Sequence, residues 1–310
     1  MAKTSKLKGR DPESTEPSKP KMLIYGKAGV GKTWTSLDFE NPFYIDTESG
    51  ADLAHYTAKL KAANGRYFGV EDGSLDFETV IEQVQALATE EHPYKTLVID
   101  SISNIFISEI ANQSDKIAKA KEKDEYGRSK KTAVAYSRRL LNWLQRIDMT
   151  VIMIAHERPK WEDGEQKGVT FDAYEKLEFL LNLVMRITKE GESRKARITK
   201  SRLLAFPEGT AFDWSYAEFV KKYGKEIVEK KVEVINLATE EQVKELDTLL
   251  QTIKIEDGWL DKCLTKAKAE TISELSQSQI SSMIKTLKAK LSPDPVVPVD
   301  DKPPFLKEKK

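Results

Sequence analysis

A lysine and a threonine close a glycine-rich stretch near the start of the chain. The stretch GKAGVGKT, which begins at Gly26 and ends in Lys32 and Thr33, matches the spacing G-x-x-x-x-G-K-[ST]. Glycines allow successive backbone N–H groups to point inward at an anion, and the helix predicted to follow adds positive potential. The spacing therefore predicts a loop that binds phosphate groups. A glycine-rich turn with an exposed lysine is the alternative.

The residue types of this loop suit a nucleoside triphosphate. The ammonium of Lys32 would neutralise β- and γ-phosphate oxygens, and the hydroxyl of Thr33 would bind a magnesium ion. ATP and Mg²⁺ are therefore the expected cofactors. The residues expected to bind the nucleotide are Gly26, Lys27, Ala28, Gly29, Val30, Gly31, Lys32 and Thr33.

An aspartate ends the apolar run KTLVID and could supply the acidic partner of the magnesium ion. A lone aspartate at a strand end often only caps a helix. After a phosphate-binding loop, however, Asp100 is expected on the magnesium side, directly or through a water molecule. Ser101 follows it, and a serine cannot polarise the attacking water of a hydrolysis reaction.

The glutamate that hydrolysis needs must therefore come from another strand end. In FYIDTESG, Glu48 follows the second predicted strand, at the edge where parallel strands place their ligand sites. Glu48 is the residue predicted to orient the water. Asp46 on the same stretch is the alternative, and a loop glutamate without a chemical role is the second alternative.

A histidine follows another apolar run, in TVIMIAH, at the same predicted edge of the sheet. His156 could sense the γ-phosphate and pass the state of the nucleotide to the segment behind it. A histidine without such a role is the alternative. These motifs together make Lys32, Glu48 and His156 candidate catalytic residues.

Short apolar runs alternate with helical patterns through the first two thirds of the chain. MLIY, PFYID, RYFGV, TLVID, TVIMIA and LVMRIT are predicted strands, and several are apolar without alternation, which is typical of strands buried on both faces. Stretches such as DFETVIEQVQALA carry apolar residues at helical spacing. The order predicts a doubly wound α/β domain, with a mostly parallel and helix-covered sheet, over residues 21–225.

The remaining segments differ in composition from this domain. Residues 1–20 are rich in Lys, Ser, Pro and Glu and are predicted to form a flexible arm. A linker is expected over 226–237, and a small helical module with capping residues over 238–291. The Pro-rich, charged tail over 292–310 is predicted to be disordered.

Composition argues against several classes of protein. The 50 basic and 50 acidic residues balance, which removes the simple argument for nucleic acid binding from net charge. The single cysteine cannot form an internal disulfide, as is typical of a reducing compartment. No apolar run is long enough to cross a bilayer, and the polar start lacks the apolar segment of a signal peptide. We therefore expect a cytoplasmic protein without a membrane partner.

The order of four motifs resembles that of the RecA/RadA recombinase superfamily. These motifs are the glycine-rich loop, YIDTES with its glutamate, LVIDS with a serine after the aspartate, and VIMIAH with its polar last residue. A fifth match, KSRLLAFP, resembles the segment in which recombinases carry two basic residues that reach the γ-phosphate of the neighbouring subunit. The resemblance implies a RecA-like P-loop NTPase fold, Lys200 and Arg202 as catalytic residues that act in trans, and a homo-oligomer. It covers the sheet domain and not the helical module.

The chain looks closest to the short phage-encoded RecA-like ATPases described as AAA-domain nucleotide-binding proteins, including the ATP-binding single-strand annealing proteins of the Sak group. This likeness implies a role in DNA recombination or replication in the host cytoplasm. Two features depart from recombinases. His156 stands where they usually carry glutamine or a similar amide, and the chain shows no recombinase polymerisation arm.

In recombinases, loops behind the acidic strand and behind the sensor residue bind single-stranded DNA. The corresponding stretches are NQSDKIAKAKEKDEYGRSKKT and HERPKWEDGEQKGVTFD. Lysines that contact successive phosphates and aromatic rings that stack on bases are typical of proteins that bind single strands of any sequence. The acidic residues between these lysines favour the alternative, in which the charged residues form a solvent-exposed surface without a ligand. The resemblance therefore implies DNA contacts by Lys119, Lys121, Lys123, Arg128, Lys130, Lys131, Arg158, Lys160 and Trp161.

These inferences predict an ATPase, stimulated by single-stranded DNA, that promotes annealing or strand pairing as an oligomer. A nucleotide-gated switch that holds a protein partner and a helicase-like motor of the same fold are the alternatives. In the tail, DDKPPF resembles the tips through which bacterial single-strand-binding proteins recruit partners. Those tips need a free terminal carboxylate, and here LKEKK follows Phe305, which weakens the case for such a protein as a partner.

Overall fold

The computed structural model describes residues 17–291, so most of the predicted arm (1–16) and the predicted tail (292–310) lie outside the described residues. The strands are β1 (Lys21–Gly26), β2 (Pro42–Asp46), β3 (Arg66–Phe68), β4 (Thr96–Asp100), β5 (Thr150–Glu162), β6 (Glu165–Asp172), β7 (Leu183–Glu190), β8 (Ser193–Ser201) and β9 (Ala211–Asp213). The helices are α1 (Lys32–Ser36), α2 (Ala54–Ala62), α3 (Phe77–Thr89), α4 (Ile102–Lys119), α5 (Arg128–Arg146), α6 (Leu177–Leu180), α7 (Tyr216–Tyr223), α8 (Lys225–Val228), α9 (Glu240–Thr252), α10 (Trp259–Ala267) and α11 (Gln277–Leu291). Each of these helices is too short or too polar to span a bilayer.

The strand order confirms a mostly parallel, helix-covered sheet. It is β3-β2-β4-β5-β1-β7-β8-β9, and β6 pairs with β5 outside this path. The strands from β3 to β7 in this order are parallel, whereas β6, β8 and β9 pair antiparallel. Leu23 and Tyr25 of β1 face the core that includes α3, α4 and α5, whereas Met22 and Ile24 face the core that includes α7. The central strands are apolar throughout because both of their faces are buried.

Parallel pairing brings several strand ends to one edge of the sheet, which we call the carboxyl edge. Gly26 at the end of β1 lies opposite His156 of β5, and Asp46 of β2 lies opposite Asp100 of β4. β5 lies between β4 and β1, so it separates the strand of Asp100 from the strand that precedes the glycine-rich loop. The backbone alone therefore places the four predicted motifs side by side.

Two predicted segments differ from the structure. RYFGV forms a strand only over Arg66–Phe68, and Val70 begins a turn of 3₁₀ helix. The segment behind His156, expected to be a loop, is an antiparallel hairpin of β5 and β6. The hairpin turns at Asp163 and Gly164, with φ of 53° and 81°. An Asp-Gly pair between two extended segments favours such a turn, so a local signal for the hairpin is present in the sequence.

Ordered contacts extend into the predicted arm and linker. Lys19, near the end of the arm, is buried, and its Nζ donates a hydrogen bond to the carbonyl oxygen of Asp148 at 3.2 Å. In the linker, the N–H of Ile235 donates to the carbonyl oxygen of Ala88 at 2.7 Å. Both segments are therefore packed against the sheet domain at these points.

The helices α9, α10 and α11 surround a small core of their own. Leu246, Trp259 and Cys263 are among its buried residues. Burial raises the pKa of the Cys263 thiol to about 11, so this thiol fills the core and is poorly suited to act as a nucleophile. The segment between α10 and α11 contacts the sheet domain at Arg139, whose guanidinium lies 3.4 Å from the carboxylate of Glu270.

Candidate functional site

The loop between β1 and α1 borders a cavity of about 630 Å³ at the carboxyl edge. This volume is within the usual range of small-molecule sites. The lining residues are Gly26, Lys27, Ala28, Gly29, Gly31, Lys32, Thr33, Trp34, Glu48, Tyr56, Asp100, His156, Glu157 and Arg194. The cavity therefore brings together every predicted nucleotide-binding residue except Val30, which packs against the apolar core. Trp34, Tyr56, Glu157 and Arg194 also line it, although no motif singled them out.

Two glycines of the loop are required by packing and by backbone conformation. A Cβ atom at Gly26 would lie 2.3 Å from the carbonyl oxygen of Ile187, so the end of β1 packs directly on the backbone of β7. Gly31 has a φ of 89°, a left-handed conformation that favours glycine. The loop could not keep this path with side chains at these positions.

Lys32 is a buried cation among carboxylates. Its Nζ donates hydrogen bonds to two carbonyl oxygens of the loop itself, at 2.9 and 3.0 Å. Burial lowers the pKa of Lys32, and the negative charges of Asp100, Glu48 and Glu157 act in the opposite direction. An ammonium in this position can neutralise the oxygens of a phosphate chain that lies in the cavity.

Asp100 and Thr33 form an oxygen pair suited to a magnesium ion. The hydroxyl of Thr33 donates to Asp100 Oδ2, and the hydroxyl of Tyr44 donates to the same oxygen at 3.4 Å. Burial raises the pKa of Asp100 to about 6; the negative charges of Glu48 and Asp46 also raise it, whereas the hydrogen bond from Thr33 opposes the shift. A divalent cation beside Asp100 would favour its charged form.

The wider donor set also fits magnesium. This ion is commonly held by one or two protein oxygens together with phosphate and water oxygens. Across residues 17–291, no group of three or more His, Cys, Asp or Glu side chains could hold a metal by itself. The hydroxyl and carboxylate oxygens of Thr33 and Asp100 therefore suit a cation that arrives with a nucleotide.

Glu48 contacts His156 beside the cavity, although the two residues are 108 positions apart. The Nε2 atom of His156 lies 2.5 Å from Glu48 Oε1 and 3.4 Å from the hydroxyl oxygen of Ser101. The side chains of His156 and Glu48 are 42% and 37% exposed. The backbone N–H of His156 donates to Ser103 Oγ at 2.9 Å, which fixes the strand end that carries the ring.

Asp46, the predicted alternative to Glu48, is engaged elsewhere. Its Oδ1 accepts hydrogen bonds from the backbone N–H groups of Glu48 at 3.0 Å and Gly50 at 3.1 Å, and its Oδ2 accepts from that of Ala51 at 2.6 Å. Asp46 is only 1% exposed. Its carboxylate therefore shapes the turn that carries Glu48, and the structure does not support it as the group that orients water.

Thr47 connects this turn to the end of β4. Its Oγ1 accepts a hydrogen bond from the N–H of Ser101 at 2.7 Å, and its carbonyl oxygen accepts from Asn104 Nδ2 at 3.3 Å. Thr47 is buried, so these bonds hold the turn firmly against the start of α4. No motif predicts this residue, and its position directly before Glu48 is its only signal in the sequence.

A second glutamate lines the cavity but is paired with a cation. Arg186 of β7 donates to the two carboxylate oxygens of Glu157 through Nε at 2.7 Å and Nη2 at 3.2 Å. The side chain of Glu157 is only 7% exposed. The bidentate pair fixes this carboxylate, and its burial leaves it little access to a water molecule.

Lys200 and Arg202, the pair implied to act in trans, do not line the cavity. Lys200 lies opposite Val184, near the start of β7 and therefore toward the edge of the sheet opposite the loop. Lys200 Nζ donates to the carbonyl oxygen of Leu181, and Arg202 Nη2 donates to that of Phe179. Because β7 is parallel to β1, most of the strand length separates the pair from the loop of its own chain.

The residues implied to contact DNA lie in two places. Lys119, Lys121, Lys123, Arg128, Lys130 and Lys131 are exposed at the end of α4, in the connection that follows and at the start of α5. Arg158, Lys160 and Trp161 lie on β5 within the hairpin, where Trp161 is 63% exposed. Acidic neighbours form ion pairs with Arg128, Arg158 and Lys160, which weakens the local positive field.

A match to one family model covers the loop and the sheet. A family model described as an AAA domain matches residues 18–213, which contain β1 to β9 and every residue that lines the cavity. Among solved structures, the crystal structure of the RadB recombinase is 19% identical, covers 63% of this chain and 86% of that chain, and has a TM-score of 0.41. No curated protein matches the chain.

The role of Asp46 in shaping the turn can be tested by stability. Asp46→Ala would leave three backbone N–H groups without their acceptor, so we expect the free energy of unfolding in urea to fall by about 2–4 kcal/mol. Glu48→Ala removes a partly exposed side chain and should change it by less than about 0.5 kcal/mol. An Asp46→Ala protein of unchanged stability that has lost nucleotide turnover would instead give Asp46 a role in the chemistry.

Proposed function

The chain belongs to the AAA domain family, and on this basis we propose that it binds ATP with Mg²⁺ at the loop between β1 and α1 and hydrolyses it with the help of Glu48. Membership of the family supports a P-loop nucleotide-binding protein. The loop, the oxygen pair of Thr33 and Asp100, and the glutamate beside His156 supply the groups that such a hydrolysis requires.

One observation carries the proposal: among the carboxylates at or beside the cavity, that of Glu48 is exposed, whereas those of Asp46, Asp100 and Glu157 are buried. Asp46 accepts three backbone hydrogen bonds, Asp100 accepts from two hydroxyl groups, and Glu157 is held by an arginine. Within the described residues, the Glu48 carboxylate has His156 as its hydrogen-bond partner and is 37% exposed. A group that orients and deprotonates water needs such a free acceptor within reach of the substrate.

Each residue of the site has one part in the proposed reaction. The loop N–H groups and Lys32 bind the phosphate chain and neutralise its charge. Thr33 and Asp100 would hold the magnesium ion, which when bound offsets the charge on the β- and γ-phosphate oxygens. Glu48 accepts a hydrogen bond from the attacking water and directs it at the γ-phosphate. His156 fixes the orientation of the Glu48 carboxylate through their 2.5 Å contact.

We further propose that the substrate of the whole protein is single-stranded DNA and that it binds along the β5–β6 hairpin and the connection between α4 and α5. β5 continues from His156 at the cavity to Trp161 in the hairpin, so one strand joins both places. The exposed Trp161 ring can stack on bases, and the lysines of both segments can follow phosphates. Annealing or pairing of strands is the activity that this arrangement would support.

We also propose that Lys200 and Arg202 complete the site of a neighbouring copy of the chain. Their place near the start of β7 keeps them from the phosphates bound to their own loop. A cation delivered by a neighbour can stabilise the charge that develops during phosphoryl transfer. The active form would then be a homo-oligomer.

Measurements of nucleotide binding and of ATP turnover should distinguish the role of Lys32 from that of Glu48. Lys32→Ala removes the buried cation and should abolish binding of a fluorescent ATP analogue. Glu48→Gln should bind the analogue normally and release phosphate at least about 100-fold more slowly, because an amide cannot accept the proton of water. Glu208→Gln, at an exposed glutamate outside the cavity, is the matched control. Normal turnover by Glu48→Gln would remove Glu48 from this role.

Single-stranded DNA should raise the rate of ATP turnover. Trp161→Ala removes a stacking surface, so the DNA concentration that gives half-maximal stimulation should rise by about 10-fold, and Trp161→Phe should restore most of the effect. Tyr67→Ala, an exposed aromatic residue of β3, is the control. Turnover that is indifferent to DNA at both low and moderate salt would contradict the DNA proposal and favour a switch that acts on a protein partner.

Mixing two inactive variants tests the action of Arg202 in trans. Arg202→Ala and Glu48→Gln subunits should each be inactive and should recover part of the turnover when mixed, because an intact Glu48 then meets an intact Arg202 from its neighbour. Lys32→Ala mixed with Glu48→Gln should stay inactive, since both changes disable the loop side of the same site. Absence of recovery in the first mixture, with oligomers present by light scattering, would contradict this arrangement.

A further inference from the structure

Arg194, the second residue of β8, lies directly on the glycine-rich loop. A Cβ atom at Gly31 would meet Arg194 Nε at 2.0 Å, Cζ at 2.8 Å and Nη2 at 2.9 Å. The guanidinium therefore occupies the space beside Gly31 that any other residue would fill with its side chain. Arg194 also lines the 630 Å³ cavity, with the loop on one side and Tyr56 nearby.

The backbone of Arg194 is held in place by two neighbouring segments. It lies opposite Lys189 in the ladder between β7 and β8, and its carbonyl oxygen accepts a hydrogen bond from the N–H of Trp214 at 2.8 Å. The side chain thus starts from a fixed point beside the loop. A ligand that bound its guanidinium would gain from this preorganisation.

One N–H group of the guanidinium has no acceptor in the part of the chain that the structure describes. Arg194 Nε is buried and without a hydrogen-bond partner among these residues. Arg186, on the adjacent strand β7, shows the contrast, because Glu157 accepts two hydrogen bonds from it. A buried guanidinium N–H without an acceptor is unfavourable, and the oxygens of a phosphate group match the planar donor fork of arginine.

We propose that Arg194 binds the α- and β-phosphates of the nucleotide held by the loop of its own chain. This inference rests on the proposed nucleotide site and adds to it a phosphate-binding residue that belongs to none of the motifs described above. The loop N–H groups are the ones that hold the α- and β-phosphates in this class of loop, whereas the lysine reaches the β- and γ-phosphates. Arg194 approaches at Gly31, so the diphosphate part of the nucleotide is its partner.

Binding of ADP and ATP to a set of variants tests this proposal. Arg194→Met keeps an unbranched apolar chain and removes the charge, and it should weaken the binding of fluorescent ADP and of a slowly hydrolysed ATP analogue by the same factor, about 10- to 100-fold. Arg194→Lys should recover part of the loss. Arg197→Ala, which removes an exposed arginine from the same strand, should bind both nucleotides as the unchanged protein does.

Three outcomes would overturn the proposal. Binding of both nucleotides by Arg194→Met within twofold of the unchanged protein would show that the side chain only packs on the loop. A loss confined to the ATP analogue would show that Arg194 meets the γ-phosphate. If Arg194→Met lacks a normal thermal unfolding transition, Arg194→Gln, which also removes the charge, decides, and the same affinity for both nucleotides as the unchanged protein, with an unchanged salt dependence, would overturn the charge contact.

Failure of this inference is distinguishable from failure of the proposed function. If the unchanged protein binds neither nucleotide, the ATP site itself is wrong. If the unchanged protein binds both, Lys32→Ala binds neither and Arg194→Met binds like Arg197→Ala, the ATP site stands and only the role of Arg194 is wrong.

Discussion

The parallel register of β1, β2, β4 and β5 is the constraint on which the site depends. It sets Gly26 opposite His156 and Asp46 opposite Asp100, so segments far apart in the chain meet at one edge. A shift of one residue would turn Leu23 of β1 from one buried face toward the other and misplace every strand end. The cores on both faces of the sheet therefore stabilise the site as well as the fold.

Crowding of carboxylates around one lysine determines the electrostatics of this edge. Burial lowers the pKa of Lys32 and raises that of Asp100, so each charge is unfavourable there without a partner of opposite sign. The structure gives each carboxylate a different environment: backbone N–H groups for Asp46, hydroxyl groups for Asp100 and an arginine for Glu157. Glu48 is left with a histidine and solvent, which is the environment that suits proton transfer.

The features that could be predicted from the sequence are those that short stretches of residues determine by themselves. The loop and the strand ends depend on short motifs and on the burial of parallel strands, and the sheet was predicted correctly for this reason. The position of Arg194 depends on the pairing of β7 with β8, whose register shifts between Val184 and Met185, and no residue pattern encodes that shift. The three backbone bonds of Asp46 likewise follow from the path of a turn and not from a motif.

The continuity of β5 has a mechanical consequence. Up to His156 the strand is paired with neighbours in the sheet, and beyond it β6 is the strand that pairs with it among the described residues. The portion of β5 from His156 to Lys160 is about 13 Å long and begins at the cavity. A change of about 15° in strand direction at His156 would therefore displace Lys160 by about 3.4 Å, so a small change beside the cavity is enlarged along the hairpin.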